Sequence, residues 1–364
     1  MFKNKINSKL FFISLITLSF SFSSFAQEVE EVVVTATKKE ESTQDIAISV
    51  EAFTSDMLDS EQIFDLSDLT EVVPGFGYGK GIGSGSSFQM RGIGSYGIGA
   101  AVVSSLVTNI NGHSVGTGQF VDLGFMDIER VEVLKGPQGT LNGRNSVQGV
   151  VNLITKRPTS EMGGYVDIES GNFDRTLIKG AINIPISDNI SSRVAFMSNQ
   201  RAGMVHNANT GNDYDDRNDT GLRLSIDWNL SDVTDLKLTY SGQKSDDNRP
   251  QEEVSFCAQD QFFGCSPYSR GGMNQAADTR GHVAGLFGFY SLIDPGTIVN
   301  KYGPSLAGGF DTLYLDREPT HYQESEVTNL ELTHELNDDV QMIVKYTYST
   351  RDFHQMNDND GRVS

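Results

Sequence analysis

Few residues in this 364-residue chain stand at spacings that do chemistry. The six histidines are scattered, and no triad, paired-carboxylate or metal-ligand spacing gathers around them. No catalytic residue, metal site or cofactor is therefore expected. Gly92-Ile93-Gly94-Ser95-Tyr96-Gly97 matches the dinucleotide fingerprint G-x-G-x-x-G. That fingerprint needs a helix opening at the glycines, so that its dipole meets a pyrophosphate, and an acidic residue about 20 positions on. Here residues 99–104 are weakly patterned, and no Asp or Glu occurs between Glu71 and Asp122. The match is rejected. Asn357-Asp358-Asn359-Asp360-Gly361 hints at a calcium loop but lacks the first ligand and the distal glutamate, which leaves a solvated acidic loop. Cys257 and Cys265 lack the further ligands of a tetrahedral metal site. In an oxidising compartment they are expected to close a small loop as a disulfide.

The N-terminus names that compartment. Lys3, Lys5 and Lys9 precede the apolar run Leu10–Phe22, and Ser24-Phe25-Ala26 offers small residues at −3 and −1 of a cleavage site before Gln27. A basic start, a short apolar core and a small-x-small exit define a secretory signal peptide over residues 1–26. The run is interrupted by Ser14, Thr17, Ser19 and Ser21 and falls short of the roughly 20 residues a spanning helix needs. No later stretch is long and apolar enough either, so a mature membrane protein would have to be a closed barrel. The net charge of −20 argues against nucleic acid as a partner, because binding it needs a basic face that displaces counterions.

Behind the leader the chain changes character three times. Residues 27–44 are polar and charged around one β-branched patch, Val32-Val33-Val34-Thr35, and cannot bury enough to fold alone, so a flexible segment is expected. Residues 45–158 read as a small α/β domain. A strand is expected over 46–53 and two short helical stretches within 58–73, ending at Pro74-Gly75. A glycine-rich run over 75–85 follows, then strands at 88–91, 106–110, 129–135 and 149–155. From 163 onward side chains alternate. Leu222, Leu224, Ile226, Trp228 and Leu230 interleave with Arg223, Ser225, Asp227 and Asn229, and Val340, Met342, Val344, Tyr346 and Tyr348 with mostly polar neighbours. About seven such strands are counted over 159–364, and period two places their apolar side chains on one sheet face.

A soluble sandwich would alternate too. The connections favour a membrane barrel, because 185–189, 231–235 and 337–339 are tight whereas 202–218 and 245–323 are long, the asymmetry of periplasmic turns and external loops. The polar face also carries Arg193, Arg223, Asp227, Lys237 and Glu331, which suits a wet lumen.

Three stretches resemble the TonB-dependent outer-membrane receptors. Glu30-Glu31-Val32-Val33-Val34-Thr35-Ala36-Thr37 is similar to the TonB box, Gln89-Met90-Arg91-Gly92-Ile93-Gly94 to a plug strand and its glycine turn, and the run from Ile128 through Lys135-Gly136-Pro137-Gln138-Gly139-Thr140 and Gly143-Arg144-Asn145 to Pro158 to the plug's long signature. Two departures stand out: Thr108-Asn109-Ile110-Asn111-Gly112 where the family has a Tyr-Val-Asp-Gly turn, and Asn142 where an aromatic precedes Gly-Arg.

The resemblance implies a small α/β plug domain followed by antiparallel transmembrane β-barrel strands, the full family fold being a 22-stranded barrel around its plug. It implies an energy-coupled, ligand-gated importer in the outer membrane of a Gram-negative bacterium, not an enzyme. The partners it implies are TonB with its inner-membrane proton-driven motor, outer-membrane lipid, and a small-molecule ligand such as an iron–siderophore or other iron complex. Vitamin B12 or a glycan stands as an alternative ligand, and a non-transporting binding or adhesion protein as an alternative class. Glu31, Val32, Val33, Val34, Thr35 and Ala36 would be the TonB box. Arg91 and Arg144 would pair with barrel glutamates, with Glu169, Glu331 and Glu335 as candidates. Tyr78 and Tyr96 would lie at the ligand-facing plug apices. Seven strands cannot enclose a plug of this size, since a plugged lumen takes about 22, so an incomplete barrel belonging to a longer receptor is expected.

Cys257 and Cys265 are expected to form a disulfide within the external loop 245–323. Quantitative modification of both thiols on the non-reduced protein at the cell surface would refute it.

Overall fold

The structure is a computed structural model that describes residues 33–35, 41–42, 48–80, 86–94, 105–115, 125–207, 210–249, 258–260, 264–266, 312–313 and 318–356. Its first part contains, in order, β1 (Val33–Val34), β2 (Glu41–Ser42), β3 (Val50–Thr54), α1 (Ser55–Ser60), α2 (Leu69–Val72), β4 (Phe76–Lys80), β5 (Ser86–Met90), β6 (Ile93–Gly94), β7 (Leu106–Ile110), β8 (His113–Ser114), β9 (Ile128–Lys135), α3 (Gly139–Asn142) and β10 (Gly149–Thr155). Five of these form one sheet in the order β3-β9-β10-β7-β8. β10 runs parallel to β7 and antiparallel to β9, so the long signature of the sequence supplies the two central strands.

Local chemistry sets the ends of these elements. The Thr54 hydroxyl accepts the Met57 amide at the start of α1, which satisfies one of the open donors of a helix N-terminus. Asp65 Oδ1 receives the amides of Ser67 and Asp68 and the Ser67 hydroxyl, and burial holds its carboxyl above the usual range against those bonds. Gly75, at φ +78°, turns the chain out of α2 into β4 as only glycine does without strain.

One face of the five-stranded sheet carries Val131, Val133, Val151 and Leu153 into a core with Leu58, Leu66, Leu69, Phe76 and Phe88. The other face carries Val107, Leu134 and Val150, and there Val34 of β1 is the covering residue. The central strands are thus buried on both faces. β4, where only a glycine-rich run was expected, is a strand in which Gly77 allows a close approach: a Cβ there would lie 2.4 Å from the Gln89 side chain on β5.

The second part contains β11 (Gly163–Gly171), β12 (Arg175–Ser187), β13 (Ile190–Arg201), β14 (Val205–Asn207), β15 (Asp213–Tyr214), β16 (Arg217–Ser231), β17 (Thr234–Asp247), β18 (Ala258–Asp260), β19 (Gly264–Ser266), β20 (Thr312–Leu313), β21 (Thr320–Asn337) and β22 (Val340–Met356). Seven of them form one antiparallel sheet in the order β11-β12-β13-β16-β17-β21-β22, matching the seven alternating stretches of the sequence. Cys265 lies opposite Gln259 in the β18–β19 hairpin, and Cys257 is outside the described residues.

The two faces of this wall decide between barrel and sandwich. Leu222 and Leu224 are 42% and 41% exposed, whereas Arg223 between them is 6% exposed. Ile182, Ile184, Trp228, Val344, Tyr346 and Tyr348 point outward as well, while Arg193, Ser225, Thr239 and Asn329 are buried on the inner side. A soluble sheet buries its apolar face. This one shows it, as a wall in hydrocarbon does. The apolar side chains begin at the tight turns after β12, β16 and β21 and run from Leu222 to Leu230 on β16 and from Val340 to Tyr348 on β22, about the length that crosses a bilayer. Beyond that band β16, β17, β21 and β22 continue as polar strand, which shortens the external connection expected at 245–323 to 248–319.

Leu224→Arg, which places a charge on the outer face, should lower the folding free energy in lipid vesicles by roughly 2–4 kcal/mol. Ser225→Thr on the inner face should stay within about 0.5 kcal/mol. Equal tolerance of both would remove the lipid-facing assignment.

Candidate functional site

The functional part is the plug sheet with what is attached to either side of it. On one side lies the N-terminal segment. Side chains alternate along β9, so Val131 and Val133 enter the core while Glu132 and Leu134 face the segment. Glu132 is fully buried, and a buried carboxylate is tolerated only when its oxygens are bonded. Four donors supply this: the Thr35 amide at 2.9 Å, the Thr35 hydroxyl at 3.2 Å, Arg130 Nε at 2.9 Å and Asn152 Nδ2 at 3.0 Å. Arg130 in turn reaches Glu129 at 2.5 Å. β1 pairs only with β2, Val33 opposite Ser42 and Val34 opposite Glu41, and does not join the five-stranded sheet. Of the segment expected to be flexible, Val34 and Thr35 are therefore docked, held by one apolar side chain, by hydrogen bonds to Glu132 and by one from Asn152 Nδ2 to the Thr35 hydroxyl at 3.4 Å. Glu31, Val32 and Ala36 lie outside the described residues.

On the other side lies the wall. Arg193 of β13 grips Asp127, the residue just before β9, through one side of its guanidinium: Nε at 2.7 Å and Nη2 at 2.6 Å. The third arm, Nη1, reaches Asn183 Oδ1 at 3.0 Å, and the Tyr165 hydroxyl donates to Asp127 at 3.2 Å. Asp127 itself is held at φ +50°, an uncommon conformation for a residue with a side chain. Next to it Arg223 donates to the Met126 carbonyl at 2.5 Å and to Ser241 Oγ at 3.0 Å. The Met126 side chain packs among Leu177, Ala181, Ala195 and Met197 of the wall, and a Cβ on Gly221 would come within 3.1 Å of its sulfur. Further contacts tie Arg157 to Asp227 and Thr239, and Lys179 to Asp59 at 3.3 Å. His113 meets Thr347 at 2.9 Å and lies 3.8 Å from Glu331, which Lys345 approaches to 2.6 Å and Lys237 to 3.6 Å.

The arginines singled out in the sequence stand elsewhere. Arg91, at φ +53°, and Arg144 are exposed, and among the described residues neither has an ion pair. Glu169 pairs with Arg175 and Glu331 with the two lysines, so neither meets Arg91 or Arg144 as envisaged. The charge traffic between plug and wall runs both ways: Arg193 and Arg223 of the wall reach a plug carboxylate and a plug carbonyl, while Arg157 at the end of the plug reaches Asp227 of the wall. Arg193, Arg223 and Asp227 were visible as charges on the inward face of an alternating sheet. Asp127 and Tyr165 were missed. The signal for Asp127 was its place immediately ahead of a signature strand. The Tyr78 ring packs against Phe88 at 5.2 Å, on the margin of the plug core, and Tyr96 lies outside the described residues.

Comparison with known proteins follows the same outline. Residues 42–150 match the family model of the TonB-dependent Receptor Plug Domain. The chain is 28% identical over 198 residues to the iron-regulated outer membrane virulence protein of Vibrio cholerae serotype O1, covering 50% of this chain and 30% of that protein. It is 31% identical over 163 residues to the vitamin B12 transporter of Vibrio vulnificus, covering 44% of this chain and 26% of the transporter. It thus spans about a third or less of these relatives. The fold is shared with the ferric yersiniabactin uptake receptor from Yersinia pestis, at a TM-score of 0.63 and 16% identity over 85% of this chain and 41% of that one. The siderophore receptor from Acinetobacter baumannii gives a TM-score of 0.63 and 18% identity, covering 90% and 39%.

Removing either member of the Arg193–Asp127 pair leaves the other charge buried and uncompensated. Arg193→Ala or Asp127→Ala should each cost about 3–5 kcal/mol, read as lost hydrogen-exchange protection at residues 126–131. The double change Arg193→Met with Asp127→Leu should cost much less than either. A double variant as damaged as the sum of the single ones would show that the two side chains do not act as a pair.

Proposed function

We propose that this chain, a TonB-dependent outer-membrane receptor in its plug domain and its wall strands, serves the ligand-gated, energy-driven import of a scarce solute, with an iron–siderophore or similar iron complex as the ligand class. One observation carries the reading: a folded plug is seated on the polar face of a sheet whose other face is apolar. A lumen closed in this way admits nothing until the plug rearranges, so passage has to be driven. The iron-regulated and siderophore-binding character of the relatives supports the ligand class, and the vitamin B12 transporter among them is the reason to keep a corrinoid as the competing cargo.

The coupling element is Glu31–Ala36. Its β-branched residues form a strand whose backbone can be added to a partner's sheet edge, giving main-chain hydrogen bonds with little demand on side-chain identity. TonB is the partner, drawing on the inner-membrane proton gradient. Ligand bound between the external loops and the plug apices, near Tyr96, would bias this strand toward the periplasm, an order–disorder switch set by the ligand. Arg91 and Arg144 are proposed to meet wall carboxylates outside the described residues.

Proline has no amide donor and fits a paired strand poorly. Val33→Pro in the full receptor should abolish accumulation of ligand in the cell while ligand affinity at the cell surface stays near wild type. Val33→Thr, still β-branched, should transport normally. Normal transport by the proline variant, or joint loss of binding and uptake, would refute the coupling role. A ligand that binds but never accumulates in wild-type cells would instead leave a non-transporting receptor.

A further inference from the structure

We propose that Glu132 is the positioning residue of the N-terminal strand: a buried carboxylate on the plug sheet that holds Thr35, and with it the strand's own hydrogen-bonding edge, in a retained state. The inference rests on reading residues 31–36 as the coupling strand.

The surroundings of Glu132 make a carboxylate conspicuous there. Val107, Leu134, Val150 and Val34 form an apolar cluster on the same face, with Val50 and Ala52 beside them, and Glu132 stands at its margin opposite Asn152. A carboxylate at this place sets a condition that valine or leucine would not, namely that donors stay in position. Arg130 and Asn152 belong to the plug sheet and are always present. The Thr35 amide and hydroxyl belong to the segment and are the removable half of the set.

Two consequences follow. While Thr35 is seated, its amide is occupied by Glu132, and β2 holds one edge of Val33-Val34, so the donors a partner strand needs are partly masked. When the segment leaves, the group that covered Glu132 has gone too, and water takes the vacated bonds. A carboxylate under a removable cover is therefore specific when covered and inexpensive to uncover, whereas an apolar residue would be left bare. Because β1 joins no strand of the plug sheet, Val34 packing, the Glu132 bonds and a longer bond from Asn152 Nδ2 to the Thr35 hydroxyl at 3.4 Å are what fixes the segment among the described residues.

The test is hydrogen exchange on the full receptor in lipid, read at residues 33–36, with affinity for the purified periplasmic domain of TonB as the second readout. A hydrogen bond to a charged group is strong enough that Thr35→Val should speed exchange at 33–36 by roughly tenfold, with the protection of residues 128–135 and 149–155 retained. Glu132→Gln should do the same and should tighten TonB binding without added ligand by a similar factor, since affinity scales with the fraction of receptor whose strand is free. Thr35→Val added to Glu132→Gln should then change little. Unchanged exchange at 33–36 in both single variants, or fully additive effects, would overturn the role of Glu132. If Glu132→Gln also loosens 128–135, it has damaged the sheet, and Thr35→Val, which alters only the segment, decides. The coupling reading fails separately: Val33→Pro would then bind the TonB domain as wild type does.

Discussion

A sheet that turns Leu222, Leu224 and Trp228 toward hydrocarbon must turn Arg223, Ser225 and Asp227 the other way, because side chains of a strand alternate. This constraint organises the molecule. The inner face of the wall is obliged to be polar, and its guanidinium groups need acceptors once water is excluded. The plug supplies them at one place, the Met126 carbonyl and the Asp127 carboxylate, which sit directly ahead of β9. Since β9 is a central strand of the plug sheet, gripping its first residues orients the whole sheet against the wall. The left-handed backbone at Asp127 fits this role: strain of that kind persists where surrounding contacts over-determine a residue, and here the Arg193 and Tyr165 side chains of the wall and the Lys156 amide do so.

The second level of order comes from β9 and β10 having no free face. Helical residues cover one side, and on the other Val34 completes an apolar cluster too small to close without it. On the proposed reading of β1 as the coupling strand, a segment that also serves as covering layer would have two states: seated, where it finishes a core, and released, where its backbone is open to a partner. Glu132 sits at the boundary between them.

Much of this was written plainly in the sequence. The β9–β10 signature and the seven alternating strands follow from side-chain period and turn spacing, which are local properties. Three things were not legible, each for a physical reason. β4 looks like a flexible glycine run, yet Gly77 leaves the room that the Gln89 side chain takes across the ladder, a contact between strands. The outer reaches of β16, β17, β21 and β22 leave the bilayer and are polar on both faces, so the hydrophobic alternation that marks a strand fades although pairing continues. The plug–wall partners are separated by 66 residues for Asp127 and Arg193, and nothing in local pattern matches a carboxylate to a guanidinium at that distance. Arg91 and Arg144 drew notice because they lie inside recognisable motifs, whereas the arginines that grip the plug lie in strands where charge reads as mere lumen polarity.

The chemistry of the plug–wall contact bears on how such a plug moves. Parting an apolar interface exposes hydrocarbon to water at about 25 cal/mol per Å² with nothing in return. The contact here has one small apolar knob, Met126 against Leu177, Ala181, Ala195 and Met197, within a border of arginine, lysine, aspartate, threonine and histidine. Each polar bond broken along that border can be replaced by one to water, so its net cost is a fraction of its strength in a dry site. The two attachments of the plug therefore differ in kind. Arg193–Asp127 is buried on both sides and bidentate, which makes it the point least ready to yield. Lys179–Asp59 and the Thr35–Glu132 bonds lie where water enters as soon as the partner withdraws. Force applied at the N-terminal strand would then meet the weaker, wettable contacts first and leave the start of β9 fixed to the wall as the pivot.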